Sequence, residues 1–107
     1  MTFIELDELI TKSGRRSIAS SLIAYLLDAL DTGSDGLDLD VFQQQTGIVR
    51  TNITSVANYL KLQGLIIVLY YREESPAREY AQDNHYGRWA KQHYQLCASV
   101  KALYRRN

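Results

Sequence analysis

The chain has 107 residues, 46% of them hydrophobic, and its 12 basic and 12 acidic side chains give a formal net charge of zero at pH 7. This length predicts one domain with a small core, to which a dimer interface would be a natural supplement. A single cysteine excludes an internal disulfide, and the lack of an apolar run of about 18 residues argues against a membrane-spanning helix. Because Met1 is not followed by a basic segment and an apolar signal core, we expect a soluble, cytoplasmic protein.

The charges are divided unevenly along the chain. Positions 1–47 hold three basic residues and eight acidic ones, whereas positions 48–107 hold nine basic residues and four acidic ones. A basic second half is typical of a surface that faces nucleic-acid phosphates. The alternative is an uneven charge distribution on a solvated surface with no functional meaning.

Two amphipathic helices are predicted in the first third of the chain. The first covers residues 3–11, with Thr2 as its N-cap and a glutamate three residues after the cap. After a glycine break, the spacing of apolar residues predicts a core helix over residues 17–30, with Ser17 as its cap. Residues 31–36 are rich in Gly, Ser and Asp and predict a turn.

A short strand and a short helix are predicted next. Residues 36–39 predict the strand, and Asp40 is expected to cap a helix over residues 41–46. Val41 and Phe42 are expected to face the core from this helix. The glycine that follows is expected to end the helix and to make a turn.

The following helix has two different faces. Its apolar residues lie at i, i+3, i+4 and i+7 and predict a buried stripe: Ile53, Val56, Ala57 and Leu60. Its other face carries hydrogen-bonding side chains, none of them acidic: Asn52, Thr54, Ser55, Asn58 and Lys61. Such side chains suit the edges of bases and the neighbouring phosphates. Thr51 is expected to cap this helix and Gly64 to end it.

This helix and the residues that follow it resemble a known family. Residues 50–66, RTNITSVANYLKLQGLI, resemble the recognition helix of winged-helix regulators of the MarR and ArsR kind. In those families a polar first turn precedes an apolar stripe and a Gly-Leu-Ile or Gly-Leu-Val exit into the wing. More loosely, the resemblance extends over residues 17–104. It implies a winged helix-turn-helix fold, terminal helices that build a dimer, and binding to double-stranded DNA.

The apolar run at residues 65–71 predicts a strand that leads into a wing. In one interpretation, residues 73–88 form the wing or a long loop, residues 89–96 return as a strand, and residues 98–105 form a terminal helix. The Gly-Arg-Trp and Tyr-Gln-Leu triplets at the two ends of the returning segment resemble the return strand of the family.

A second interpretation of the same segment stays open. Ser75 would cap a helix that starts at Pro76, and helices would continue to the C-terminus. The apolar residues from Trp89 to Tyr104 lie at helical spacing, which favours this interpretation.

Basic and aromatic residues alternate in the segment after the strand. Arg78, Arg88 and Lys91 are interleaved with tyrosines and Trp89. On a mobile hairpin, such side chains contact phosphates and sugars in the minor groove or stack on unpaired bases. The resemblance makes Arg88, in the place of the family's wing-tip arginine, the favoured contact. In the alternative, the aromatic residues belong to the core and the cations are solvated.

Motifs for catalysis, metal binding and cofactor binding are missing. The sequence has no Gly-rich phosphate loop and no Cys-x-x-Cys pair, and His85 and His93 have no carboxylate at metal-ligand spacing. Each histidine is expected to be an ordinary surface or packed residue, and Cys97 a small buried thiol. We therefore expect no enzyme, no metal and no cofactor.

These observations together predict a mainly α fold with a small β-hairpin, an α+β winged helix-turn-helix in a single domain over residues 1–107. Residues 1–14 would form the N-terminal helix, 17–96 the winged-helix core and 97–107 the C-terminal helix. The expected function is sequence-specific binding of double-stranded DNA by a homodimeric transcriptional regulator. The alternative is a protein-interaction adaptor, or a plasmid or viral partition or replication accessory protein; RNA binding is a third option.

The predicted DNA contacts divide by chemistry. Residues expected to read base edges are Asn52, Thr54, Ser55 and Asn58. Residues expected to contact phosphates are Arg50, Thr51 and Lys61. Residues expected to extend the contact from the wing are Arg78, Arg88 and Lys91.

Overall fold

The described part of the chain, residues 1–73 and 78–104 of a computed structural model, contains five α-helices and three β-strands. In chain order they are α1 Phe3–Lys12, α2 Arg16–Asp31, β1 Leu37–Asp38, α3 Leu39–Thr46, α4 Arg50–Leu62, β2 Ile66–Tyr71, β3 Lys91–Leu96 and α5 Ala98–Leu103. One 3-10 turn at Gly87–Trp89 precedes β3. The predicted α+β class is confirmed.

The first two helices start differently. Thr2 caps α1 as predicted, because its hydroxyl oxygen accepts a hydrogen bond from the amide three residues later at 3.1 Å. The cap predicted at Ser17 is wrong: α2 begins one residue earlier, at Arg16, and Arg15 is its N-cap without a side-chain hydrogen bond. The Arg16 guanidinium donates hydrogen bonds to two side chains of α1, and this contact ties the start of α2 to that helix.

The cap predicted for α3 is also wrong, because this helix too begins earlier than predicted. Because α3 begins at Leu39, its N-cap is Asp38, and Asp40 lies within the first turn. Phe42 is fully buried as predicted, whereas Val41 is 37% exposed and does not face the core. Neighbouring side chains on a helix point about 100° apart, so a short helix on a small core buries only one of the two.

The turn between α3 and α4 contains a glycine where the sequence predicted one. Gly47 ends α3 with a φ of 73°, in the left-handed region that glycine adopts without a steric penalty. The cap predicted at Thr51 is wrong, because α4 begins at Arg50 and its N-cap is Val49. The Val49 carbonyl oxygen accepts hydrogen bonds from two amides of the first turn at 3.0 and 3.1 Å.

The three strands form one antiparallel sheet in the order β1-β3-β2. β2 and β3 pair along their whole length, and the two residues of β1 pair with Tyr94 and His93 of β3. The sheet therefore brings the segment just before α3 next to the last strand of the chain.

The return strand is confirmed, and the continuous-helix interpretation is wrong for the residues that the structure describes. Between β2 and β3, the described residues form one helical turn, the 3-10 turn at Gly87–Trp89, so Trp89 itself lies before the strand. The apolar residues from Trp89 to Tyr104 matched helical spacing partly because the last of them belong to α5, the helix that follows β3. Ser75 and Pro76, on which the helical interpretation depended, lie outside the described residues.

α2 lies at the centre of the core. Leu22 and Leu26 of this helix are at most 1% exposed, and α2 packs against α1, α4 and β3. Buried side chains from the other helices and from β2 and β3 complete the core, among them Phe42 and Tyr94. Cys97 is half-buried rather than buried, and this burial raises the pKa of its thiol. Within residues 1–73 and 78–104, no helix is long and apolar enough to cross a bilayer.

Candidate functional site

α4 is attached to the domain by one face. Its predicted apolar stripe is at most 2% exposed and packs mainly on α2 and β2: Ile53, Val56, Ala57 and Leu60. Because helical residues are about 100° apart around the axis, Thr51, Ser55 and Asn58 point away from this stripe. All three are exposed. α4 therefore presents a line of hydroxyl and amide groups to solvent.

The other two predicted base-reading residues lie at the edges of this surface. Asn52 and Thr54 are half-buried, and the Thr54 hydroxyl donates a hydrogen bond to the Thr51 carbonyl oxygen at 3.1 Å. Within the described part of the chain, the side chains of Asn52, Ser55 and Asn58 make no hydrogen bond. The outward face of α4 is defined here as Thr51, Asn52, Thr54, Ser55 and Asn58. Of its predicted base-reading residues, Ser55 and Asn58 are exposed.

The two ends of α4 differ in charge and exposure. Lys61, in the last turn, is exposed and makes no ion pair with any described residue. Arg50, the first residue, is paired: its Nη1 lies 2.8 Å from Oδ1 of Asp40. Leu62, which was not predicted as a surface residue, is 73% exposed at the end of the outward face. Its position four residues after Asn58 was the signal that would have identified it.

Two of the three cations predicted in the wing are also paired. Arg78 Nη1 lies 3.1 Å from Oδ2 of Asp38, and Lys91 Nζ lies 2.9 Å from Oδ2 of Asp40. Arg88 makes no ion pair with the described residues, and its guanidinium carbon lies 5.5 Å from the ring centre of Trp89. Trp89 is 71% exposed and Arg88 is exposed, so this arginine and tryptophan form an accessible cationic and aromatic surface before β3.

Asp40 connects three elements. Its carboxylate accepts a hydrogen bond from Arg50, at the start of α4, and another from Lys91, at the start of β3. The bond from Lys91, reinforced by that from Arg50, lowers the pKa of Asp40, and the same carboxylate raises the pKa of Lys91. A predicted phosphate contact, Arg50, and a predicted wing contact, Lys91, are therefore held at one acidic side chain.

Asp38 is the second acid of this region, and its role was not predicted from the sequence. Its Oδ1 lies 2.8 Å from Nδ1 of His93, and its Oδ2 accepts a hydrogen bond from the Tyr71 hydroxyl at 2.9 Å in addition to the contact with Arg78. Burial, together with this bond to Asp38, raises the pKa of Tyr71. These partners lie 33, 40 and 55 residues away in the chain, so no local spacing indicated them.

Aromatic contacts hold the segment after β2 against the same acid. The Tyr80 ring lies 4.7 Å from the His93 ring and 5.5 Å from the Tyr71 ring, measured between centroids. The Arg78 guanidinium lies 4.4 Å from the centre of the Tyr71 ring. An isolated bridge between Tyr70 and Ala81 adds two backbone hydrogen bonds, of 2.8 and 2.9 Å. Residues 78–81 of the segment between β2 and β3 are therefore fixed to the sheet.

An apolar groove of about 1030 Å³ lies on another part of the surface, among α1, α2 and α5. It is lined by Phe3, Leu27, Leu30, Leu103 and Tyr104, with Asp31 and Lys101 as its charged residues within the described chain. The Phe3 and Tyr104 rings meet edge to face, with centroids 5.2 Å apart.

The histidines lie apart in the structure. His93 is 7% exposed and packed on the sheet, whereas His85 is exposed and lies against Tyr86. Among the described residues, no group of three or more His, Cys, Asp or Glu side chains is arranged to hold a metal ion. Comparisons with protein-family models, with curated proteins and with solved structures found no match to this chain.

Proposed function

We propose that this protein is a winged helix-turn-helix DNA-binding protein of the kind that the MarR and ArsR regulators represent, and that it is not an enzyme. The order of its elements supports the proposal. A scaffold helix and a short strand precede the α3-α4 pair, and an antiparallel hairpin follows that pair directly. In such a domain α4 is the recognition helix and the β2-β3 hairpin is the wing.

The orientation of α4 is the observation that carries the proposal. The helix is seated by an apolar stripe, and its outward face offers neutral hydrogen-bonding groups, with Arg50 and Lys61 at its ends. An α-helix is roughly 10–12 Å wide, which matches the major groove of about 12 Å. Ser55 and Asn58, with Asn52 and Thr54 beside them, would read base edges there, while Thr51 and the two cations would contact phosphates.

The hairpin would extend this contact along the duplex. Arg88 and Trp89 are exposed near the start of β3, where a cation and an aromatic ring can approach the DNA backbone or the minor groove. Arg78 and Lys91 would contribute less charge in the free protein, because Asp38 and Asp40 pair with them.

The protein would act as a homodimer and regulate transcription. The groove among α1, α2 and α5 is an apolar surface, and its two charged residues within the described chain, Asp31 and Lys101, have opposite signs. A two-fold interface requires a surface that is complementary to itself, so that Asp31 of one copy can meet Lys101 of the other. This groove is therefore the surface we propose for the second copy.

Selection of bound duplexes from a random pool tests this function. We expect enrichment of a site with two-fold symmetry, whose half-sites are separated by about one helical turn of DNA, roughly 10 to 10.5 base pairs. Recovery of unenriched sequences would contradict sequence-specific binding, and recovery of a single asymmetric half-site would contradict the dimer.

A second candidate function is that of a protein-interaction adaptor, or of an accessory protein in plasmid or viral partition or replication. The exposed apolar side chains at the two ends of α4 favour it: Val49 is 60% exposed and Leu62 is 73% exposed. Retention on heparin or random DNA separates the two functions. A DNA-binding face gives retention that falls steeply with salt, whereas an adaptor binds little at any salt concentration.

A further inference from the structure

The Asp40 carboxylate pairs with two cations that belong to different elements. It bridges Arg50 Nη1 at 2.8 Å and Lys91 Nζ at 2.9 Å, one donor on each of its oxygens. Arg50 is the first residue of the helix proposed to enter the major groove, and Lys91 is the first residue of β3, at the end of the β2-β3 ladder next to the connecting segment. A phosphodiester likewise offers two oxygens that share one negative charge, so the same two donors could bind it.

The contact is accessible enough to be exchanged. The side chains of Arg50 and Asp40 are each 44% exposed, and that of Lys91 is 37% exposed. Ion pairs at this exposure contribute little to folding stability, because water and salt compete with them. The three side chains can therefore separate without unfolding the domain. Because the hydrogen bonds from Lys91 and Arg50 lower the pKa of Asp40, its carboxylate is ionised at neutral pH.

We propose that Asp40 is an internal competitor of DNA phosphates for Arg50 and Lys91. This inference rests on the proposed DNA-binding function. By neutralising two cations in the free protein, Asp40 weakens binding to every sequence by the same factor, since phosphate contacts carry no sequence information. A larger share of the affinity then depends on the outward face of α4. Asp40 thus sets the overall affinity for DNA without contacting it, and leaves the ratio between the selected and the random duplex unchanged.

The variant Asp40→Asn tests this role, because it removes the charge and keeps the size of the side chain. Asp35→Asn is the matched control: it makes the same change of charge at an exposed turn residue that forms no ion pair with the described residues. Wild type and both variants are titrated with the selected duplex and with a random duplex at two salt concentrations.

We expect Asp40→Asn to tighten binding to both duplexes by the same factor, roughly three- to tenfold, because two exposed ion pairs no longer have to be broken. It should also steepen the salt dependence by about 0.9 for each additional phosphate that the protein neutralises. Asp35→Asn should change neither quantity as much. In a background of Arg50→Gln and Lys91→Gln, Asp40→Asn should tighten binding no further, because the competed cations are gone.

Thermal unfolding curves are recorded first, to establish that each variant is folded. Three results would then overturn the inference. If Asp40→Asn behaves like Asp35→Asn, the two cations do not exchange partners. If Asp40→Asn weakens binding, Asp40 positions the cations instead of competing for phosphates. If wild type binds no duplex with a measurable salt dependence, the proposed function fails, and the role of Asp40 fails with it.

Discussion

Asp38 and His93 lie directly opposite each other in the ladder between β1 and β3, with Oδ1 of the aspartate 2.8 Å from Nδ1 of the histidine. The pair is nearly enclosed, since the Asp38 side chain is 14% exposed and that of His93 is 9% exposed. The same carboxylate also accepts hydrogen bonds from Tyr71, at the end of β2, and from Arg78, in the segment that follows. β1, a strand of two residues, therefore anchors the β2-β3 hairpin through one side chain.

Replacing Asp38 with alanine should release this attachment. Loss of the carboxylate leaves the Tyr71 hydroxyl and the His93 ring without their acceptor, so we expect the free energy of unfolding to fall by about 1–3 kcal/mol. Urea denaturation measures this change, and Asp35→Ala, an exposed turn residue, is the control. Limited proteolysis should also become faster within the segment between β2 and β3. Equal stability of the two variants would show that the Asp38 network contributes nothing to the fold.

Gly36 should tolerate no side chain. A Cβ at this position would lie 2.2 Å from the Tyr94 carbonyl oxygen and 2.7 Å from Nε2 of His93. We expect Gly36→Ala to destabilise the protein by about 3 kcal/mol, because β1 would have to move away from β3. Gly33→Ala is the comparison, since Gly33 has open space around it and a φ of 86°. That substitution should cost about 1 kcal/mol. If chemical denaturation shows the reverse order, the close approach of β1 to β3 is wrong.

Asn58 and Lys61 should affect DNA binding in different ways. Asn58→Ala should weaken binding to a selected site by about 1–3 kcal/mol and leave random duplexes nearly unchanged, because a base contact is lost. Lys61→Gln should weaken binding to all duplexes alike and reduce the salt slope by about one. Fluorescence titrations at two salt concentrations measure both effects, with Ser20→Ala on the exposed side of α2 as the control. The proposal for α4 fails if both variants weaken every duplex equally.

Substitutions of Asn52 and Arg50, in the first turn of α4, should also differ in whether they affect the selected duplex alone or all duplexes. Asn52→Ala is expected to act on the selected site and Arg50→Ala on all sequences. Because Asn52 is half-buried at the edge of the outward face, its effect should be smaller than that of Asn58. The same titrations measure both variants, and an Asn52 effect larger than that of Asn58 would mean that α4 is rotated relative to the groove we propose.

The charged residues of the apolar groove allow a test of the proposed dimer. Asp31→Lys alone should place two lysines against each other across a two-fold interface, and Lys101→Glu alone should place two acids there, so each variant should shift the protein towards monomer. A mixture of the two variants should form a heterodimer, because opposite charges then meet again. Sedimentation velocity measures the association. If the single variants dimerise as wild type does, the second copy does not bind at this groove.

Local patterns in the sequence predicted the features that depend on the period of one element. The buried stripe and the outward face of α4 follow from helical periodicity alone, and the structure agrees with both. The glycine turns at Gly47 and Gly64 were also predicted locally, because glycine itself permits the left-handed φ that both residues adopt. Helix starts were less accurate: the N-caps of α2, α3 and α4 each lie two residues before the predicted caps Ser17, Asp40 and Thr51, since contacts with other elements influence where a helix begins.

The sequence by itself determined the α+β class, the helix-glycine-helix core and the two faces of α4, because these depend on the order and spacing of neighbouring residues. Only the tertiary structure decided which cations are paired and which are available. Arg50, Arg78 and Lys91 appear in the sequence as equal members of a basic second half, yet each is bound by an acid from the acidic first half. The physical reason is that ion pairing depends on how the helices and the sheet pack, which brings residues up to 51 positions apart within hydrogen-bond distance.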